Sequence, residues 1–162
     1  IKVWDVQEMT CIGTLTGHSG YVRFSVWCLV FEGGRLYSGS GDKSIKVWDV
    51  QEMTCIGTLT GHSDWVFWCL VFEGGRLYSG SNNGSIKVWD VQEMTCIGTL
   101  TGHSDWVFWC LVFEGGRLYS GSNNGSYVRC LVFEGGRLYS GSGDNGIKVW
   151  DVQEMTCIGT LT

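Results

Sequence analysis

The chain has no proline and no alanine among its 162 residues, and only 17% of them carry charge. Alanine and the other good helix formers normally fill helix surfaces, so their scarcity argues against a helical protein. What charge there is sums to -5, which leaves no basic field to draw in nucleic acid. No apolar run is long enough to cross a bilayer as a helix, and membrane insertion is not expected. No positively charged leader precedes the first motif, and the sequence opens on Ile1 in mid-motif, as a piece of something longer would. The eight cysteines, Cys11, Cys28, Cys55, Cys69, Cys96, Cys110, Cys130 and Cys157, include no CxxC pair. Neither zinc spacing nor a dense disulfide frame is therefore indicated, and no metal or cofactor is expected. They read as small buried hydrophobes suited to a reducing compartment, cytoplasm or nucleus. Two NGS triplets, starting at Asn83 and Asn124, would be glycosylation acceptors in a secreted chain; Asn-Gly is also the favoured pair of a tight hairpin turn.

What is present is repetition. CLVFEGGRLYSGS begins at Cys28, Cys69, Cys110 and Cys130, in steps of 41, 41 and 20. IKVWDVQEMTCIGTLT begins at Ile1, Ile45, Ile86 and Ile147, in steps of 44, 41 and 61. The long step exceeds the usual one by 20, so Ser126–Tyr127 joins two partial units. Periods of this length dictate architecture before any single residue does. The near-identity of the copies points to a young, consensus-like or designed array.

Each unit reads as four short runs rich in β-branched and aromatic residues: YVRCLVF, RLYSGS, IKVWDV and TCIGTLT, here strands a, b, c and d. EGG joins a to b, GDKS or NNGS joins b to c, and QEM joins c to d, lengths that antiparallel hairpins use. The expected fold class is all-β, with about four equivalents of a four-stranded antiparallel sheet. The array divides into residues 1–16 (c and d only), 17–60, 61–101, 102–126 (a and b only) and 127–162 (without its GH start). Such sheets have two faces to cover and two raw edges, so neighbours must pack face to face.

GH at 17–18, 61–62 and 102–103, followed by VWD at 47–49 and 88–90, resembles the WD40 repeat of β-propellers. The resemblance implies a hydrogen-bonded network in each complete blade, joining the GH histidine, a strand-b serine, an acid in the b–c turn and the strand-c tryptophan. In the first full unit these are His18, Ser38, Asp42 and Trp48. In the second they are His62, Ser79, Asn83 and Trp89, where asparagine forgoes the charge-assisted part of the bond. The third has His103, Ser120 and Asn124, with Cys130 where tryptophan belongs, and the fourth has Ser140, Asp144 and Trp150 without a histidine. Histidine, serine and aspartate together also invite a hydrolase reading. Their recurrence at positions the family uses as internal struts argues for structure, and no catalysis is expected. GSGDKS at 39–44 lacks the glycine before lysine and the helix that a phosphate loop needs.

Variation between copies is confined to the segment entering strand a: GYVRFSVW at 20–27 and DWVFW at 64–68 and 105–109. In a WD40-like propeller this segment lies on the top face, so Tyr21, Arg23, Phe24, Trp27, Trp65, Phe67, Trp106 and Phe108 are candidates for binding a protein or peptide partner. Space-filling between blades is the competing reading, favoured for Trp68 and Trp109, and the odd residue of DWVFW fits a bulge. Sixteen strands fall short of a ring of about seven blades, so the flanks call for a longer chain or a homo-oligomer, ring or filament. The segment VFWCLVF is apolar, uncharged and proline-free, and chain without neighbours is expected to be poorly soluble.

Overall fold

Local turn chemistry decides most of the architecture. Each EGGR turn closes two strands around a Glu–Arg pair, with Glu32 opposite Arg35, Glu73 opposite Arg76 and Glu114 opposite Arg117. Both glycines of each turn are left-handed, as at Gly33 (φ 57) and Gly34 (φ 76), the twist a two-residue hairpin needs. The c–d turns are held by an aspartate: Asp5, Asp49 and Asp90 each accept bonds from the N–H groups two and three residues on, at 2.8–3.0 Å. Those turns carry Met9, Met53 and Met94 at φ 54–55, a strained position for a side chain.

The computed structural model describes residues 1–19, 25–66, 69–101, 103–122, 128–134, 137–142, 147–151 and 156–161. Side chains at 108–110, 122, 128–130, 132–134, 141–142, 147–151, 156–157 and 160–161 lie outside that description. Among the described residues there are sixteen strands and no helix. A two-stranded sheet comes first, β1 (Lys2–Asp5) with β2 (Thr10–Thr14). Two complete meanders follow: β3 (Val26–Glu32), β4 (Arg35–Ser40), β5 (Ile45–Asp49) and β6 (Thr54–Leu59), then β7 (Leu70–Glu73), β8 (Arg76–Gly80), β9 (Ile86–Asp90) and β10 (Thr95–Leu100). β11 (Val107–Glu114) and β12 (Arg117–Ser122) form a second two-stranded sheet. The last sheet is β13 (Val128–Glu134), β14 (Arg137–Ser142), β15 (Ile147–Asp151) and β16 (Thr156–Leu161). All pairings are antiparallel.

The sheets stack in chain order, β3 against β7, β7 against β11 and β11 against β13. The core therefore lies between sheets. Tyr37, Ile45, Val47 and Leu59 of the first complete sheet pack with Leu77 and Trp89 of the second, with Val66 in the segment before β7 and with Val91 just after β9. One aromatic contact recurs, strand-b tyrosine on the next sheet's strand-a phenylalanine: Tyr37–Phe72 at 4.7 Å and Tyr78–Phe113 at 4.5 Å. Val66 and Val107, both fully buried, plug the seams. Their N–H groups donate across to Ser40 O and Ser81 O at 3.0 and 3.2 Å. A Cβ on Gly39 or Gly80 would stand only 2.8–2.9 Å from those valines, so glycine is required there by close approach.

The half unit is tolerated for a topological reason. Strands b and d run in the same direction, so deleting the c–d hairpin leaves the chain on the side from which the next strand a departs. The register is irregular where DWVFW enters β11: that strand advances four residues from Val107 to Leu111 while β12 moves two, from Ser122 to Ser120, so two residues are taken up in the irregularity.

The sequence reading of the cysteines needs correction. Cys69 is buried, but Cys11, Cys55 and Cys96 are exposed free thiols. Strand d is the outermost strand, and each of these thiols donates to the glycine carbonyl two residues on at 3.3–3.4 Å instead of entering the core.

Candidate functional site

In the first complete sheet four side chains form one directed chain of hydrogen bonds. Trp48 Nε1 donates to Ser38 Oγ at 2.8 Å, Ser38 Oγ lies 2.7 Å from His18 Nε2, and His18 Nδ1 lies 2.8 Å from Asp42 Oδ2. The serine accepts from the indole and so donates to Nε2, which puts the imidazole proton on Nδ1, facing the carboxylate. Burial pushes the Asp42 carboxyl up, but bonds from the Ser44 hydroxyl, His18 and the Ser44 N–H outweigh it and hold it below its ordinary range.

The second sheet keeps two of the three links. Trp89 Nε1 donates to Ser79 Oγ at 2.7 Å, and Ser79 Oγ lies 2.7 Å from His62 Nε2. Asn83 does more than weaken the third bond, because His62 Nδ1 is buried with no hydrogen-bond partner. Asn83 Oδ1 accepts from the Ser85 N–H and hydroxyl just as Asp42 Oδ1 does from Ser44, so its amide nitrogen takes the place of the carboxylate's second oxygen. That nitrogen donates to Ser63 Oγ at 2.6 Å. With its oxygen spent on Ser85 and its nitrogen on Ser63, Asn83 makes no bond to His62. Burial, with the Lys87 ammonium nearby, pushes the His62 imidazole down from its ordinary 6.5 to about 4.

The third unit holds the His103 Nε2–Ser120 Oγ contact at 2.7 Å. Where the other sheets put tryptophan, a cavity of about 260 Å³ opens, lined by Ile86, Leu100, Thr101, His103, Leu118 and Ser120. Burial lowers the His103 pKa. Asn124 and Asp144 lie outside the described residues, as do the side chains of Cys130 and Trp150, while Ser140 is buried on β14.

Of the aromatic candidates, Tyr21, Arg23, Phe24, Phe67 and Trp68, and the side chains of Phe108 and Trp109, lie outside the described residues. Trp27 and Trp65 are half-buried and Trp106 is 43% exposed. The backbone of Trp65 is pinned: its carbonyl accepts from Ser81 Oγ at 3.0 Å and Asn82 N at 3.0 Å, and its N–H donates to Asp64 Oδ1 at 2.8 Å. Trp106 N donates likewise to Asp105 Oδ1 at 2.7 Å.

The model of the family described as WD domain, G-beta repeat, matches residues 9–49, 53–90, 94–127 and 117–151. The chain belongs to the WD40 family. The first three WD40 matches start at the end of a c–d turn and the fourth at the start of β12; all stop near a strand-c aspartate except the third, which runs out at residue 127 where strands c and d are missing. Proteins of this family generally serve as interaction scaffolds, not catalysts. A solved chain described as "Crystal Structure of Mitotic Checkpoint Complex" shares the fold at a TM-score of 0.84 and 24% identity, over 99% of this chain and 57% of that one. The chain thus spans little more than half the length of that WD40 relative. No curated protein matches the sequence.

The WD40 tetrad has the atoms of a hydrolytic triad without its access. Ser38 and Ser79 are fully buried, and each Oγ is already taken by an indole donor and an imidazole. No substrate carbonyl can approach such a hydroxyl, so the arrangement braces a sheet. Sequence reasoning missed the seam valines Val66 and Val107 and the aspartates of VWD, whose role is to cap the c–d turn. An aspartate followed by a polar turn was the available signal for the latter; nothing local marked the former.

Proposed function

We propose that the chain is a non-catalytic interaction scaffold that receives a protein or peptide on the aromatic face formed where successive sheets enter strand a. Trp106 carries this reading: a large aromatic 43% exposed, on a backbone fixed by its own aspartate and by the buried seam valine beside it. Rigid, exposed aromatics anchor partners at low entropic cost. Trp65, half-buried, occupies the matching position one repeat earlier. Cytoplasm or nucleus is the compartment this reading implies, supported by the free exposed thiols of Cys11, Cys55 and Cys96. The test compares affinity capture from cell extract by the wild-type chain and by a Trp65→Ala/Trp106→Ala double variant, with a thermal melt to establish that the fold persists. Loss of the captured proteins in the folded variant is expected; capture of the same set by both refutes the reading. Self-assembly is the second reading, favoured by the apolar side chains exposed at the chain's open flanks, Trp4, Val6, Met9 and Phe31 among them.

A further inference from the structure

Residues 1–16 repeat, letter for letter, the c–d hairpins at 45–60 and 86–101, yet they stand without strands a and b. β11 and β12 stand without c and d. Three sets of contacts, each satisfied inside the chain, are left half-made by these two gaps.

The first is the indole. Trp48 and Trp89 are 1% exposed and donate to a strand-b serine; Trp4, in the same motif, is 56% exposed. Its missing acceptor has a counterpart in Ser120, which with His103 and Leu118 lines the cavity that strand c would cover. The second is a methionine peg. Met53 of one c–d turn covers Gly13 of the preceding hairpin so closely that a Cβ there would stand 3.0 Å from its sulfur, and Met94 covers Gly57 likewise, at 2.9 Å from such a Cβ. Met9 is 83% exposed, and a Cβ on Gly98, next in the series, would meet nothing nearer than Val88 of its own sheet at 3.8 Å. The third is the tyrosine–phenylalanine contact between sheets: Phe31 of β3 is 57% exposed, and Tyr139 of β14 holds the matching strand-b position at the other end of the stack.

We propose that two copies of this chain close a ring of eight four-stranded sheets by exchanging their N-terminal hairpins. Each β1–β2 hairpin completes the partner copy's β11–β12 sheet. By the register of β4 with β5, Leu118 lies opposite Trp4, Ser120 opposite Lys2 and Arg117 opposite Asp5. In that placement Met9 covers Gly98, and the β3 sheet packs on the partner copy's β13–β16 sheet, bringing Phe31 to Tyr139. The sixteen strands of one chain make four sheets' worth, and two chains make a complete ring within the range propellers adopt. Reciprocal exchange is an isologous arrangement that closes on itself.

The hairpin has to pass the β13–β16 sheet to reach its seat, and only the first unit has slack for this. His18 stands ten residues before Cys28, whereas His62 and His103 stand seven before Cys69 and Cys110. With His18 released from Ser38 and Asp42, the stretch from Thr14 to Val26 extends to roughly 40 Å. In each chain the exchange thus trades the two His18 bonds and the Met53 cover of Gly13 for one buried hairpin and one filled cavity.

The test measures mass in solution with hydrogen exchange. The wild-type chain should sediment at twice the 18.0 kDa chain mass. Amides of β12 should be protected in that dimer relative to dilute chain. Trp4→Ala should weaken dimerisation about thirtyfold or more, as loss of a buried aromatic anchor does. A synthetic peptide of residues 1–16, added in excess to the full chain, should convert dimer to monomer and protect β12, whereas the Trp4→Ala peptide should not; because the change is made in the peptide, folding of the chain is not at issue. A monomer at every concentration, open filaments, a dimer indifferent to Trp4→Ala, or a peptide that leaves β12 unprotected would each overturn the proposal. None of these readouts depends on the aromatic face proposed above.

Discussion

The first and second complete sheets are nearly the same sequence, and they differ in how they finish one hydrogen-bond chain. In the first, Asp42 accepts from His18 and the line from indole to carboxylate is closed. In the second, the Asn83 amide nitrogen donates to Ser63 Oγ, and His62 Nδ1 stays buried without a partner. Both sheets keep the same serine and tryptophan links, strand register and seam. The difference teaches that indole and serine organise the sheet, while the acid satisfies the histidine and stabilises what is already formed.

Removing the common part should have the largest effect and should erase the distinction. Trp48→Ala and Trp89→Ala each empty a fully buried site and strand a serine, and each should cost about 3–5 kcal/mol in urea unfolding. A much smaller loss in either would mean that the indole does not organise its sheet.

Acid separates the two sheets next. The unfolded His62 imidazole titrates near 6.5 and the folded one near 4, so between those values the unfolded chain binds more protons. Its contribution is fully present above about pH 6.5 and is lost as pH falls toward 4, a change of about 3 kcal/mol. Asp42 does not add to the loss in that window, because its lowered pKa puts its titration below the ordinary 3.8. Urea midpoints from pH 7 down to 4 check this, and a flat profile would contradict the burial of a neutral His62.

Asp42→Asn converts the first sheet into the second. It should cost about 1–3 kcal/mol, the penalty for leaving a buried donor unmet. The reverse change, Asn83→Asp, should stabilise by about 0.5–1.5 kcal/mol and shrink the acid loss above, since a carboxylate beside His62 favours its protonated form. If the two substitutions shift stability in the same direction, the assignment of Asn83 as the defect is wrong.

A great deal of this was legible in the residues. The hairpins follow from the EGG and QEM turns, the strands from alternating β-branched and aromatic residues, and the blade-like unit from the period. His18, Ser38, Asp42 and Trp48 were marked by the family motif. Three features were not legible. The strand-d cysteines point outward, because which face of an edge strand meets solvent depends on the sheet beside it. Val66 and Val107 close the seams between sheets, and a valine in a strand carries no mark of which sheet it will touch. The severity of Asn83 is also hidden, since its amide must satisfy Ser85 with the oxygen before the orientation of its nitrogen is decided.

Sequence alone determined the all-β class, the four-strand unit, the half unit at Ser126–Tyr127 and the candidates for the buried network, because turn geometry and strand alternation are local and repeat without change. Tertiary structure decided which copies of one motif are finished and which are not. The same IKVWD buries its tryptophan at Trp48 and exposes it at Trp4. The reason is that burial belongs to the space between sheets, and a strand cannot encode the presence of its neighbour.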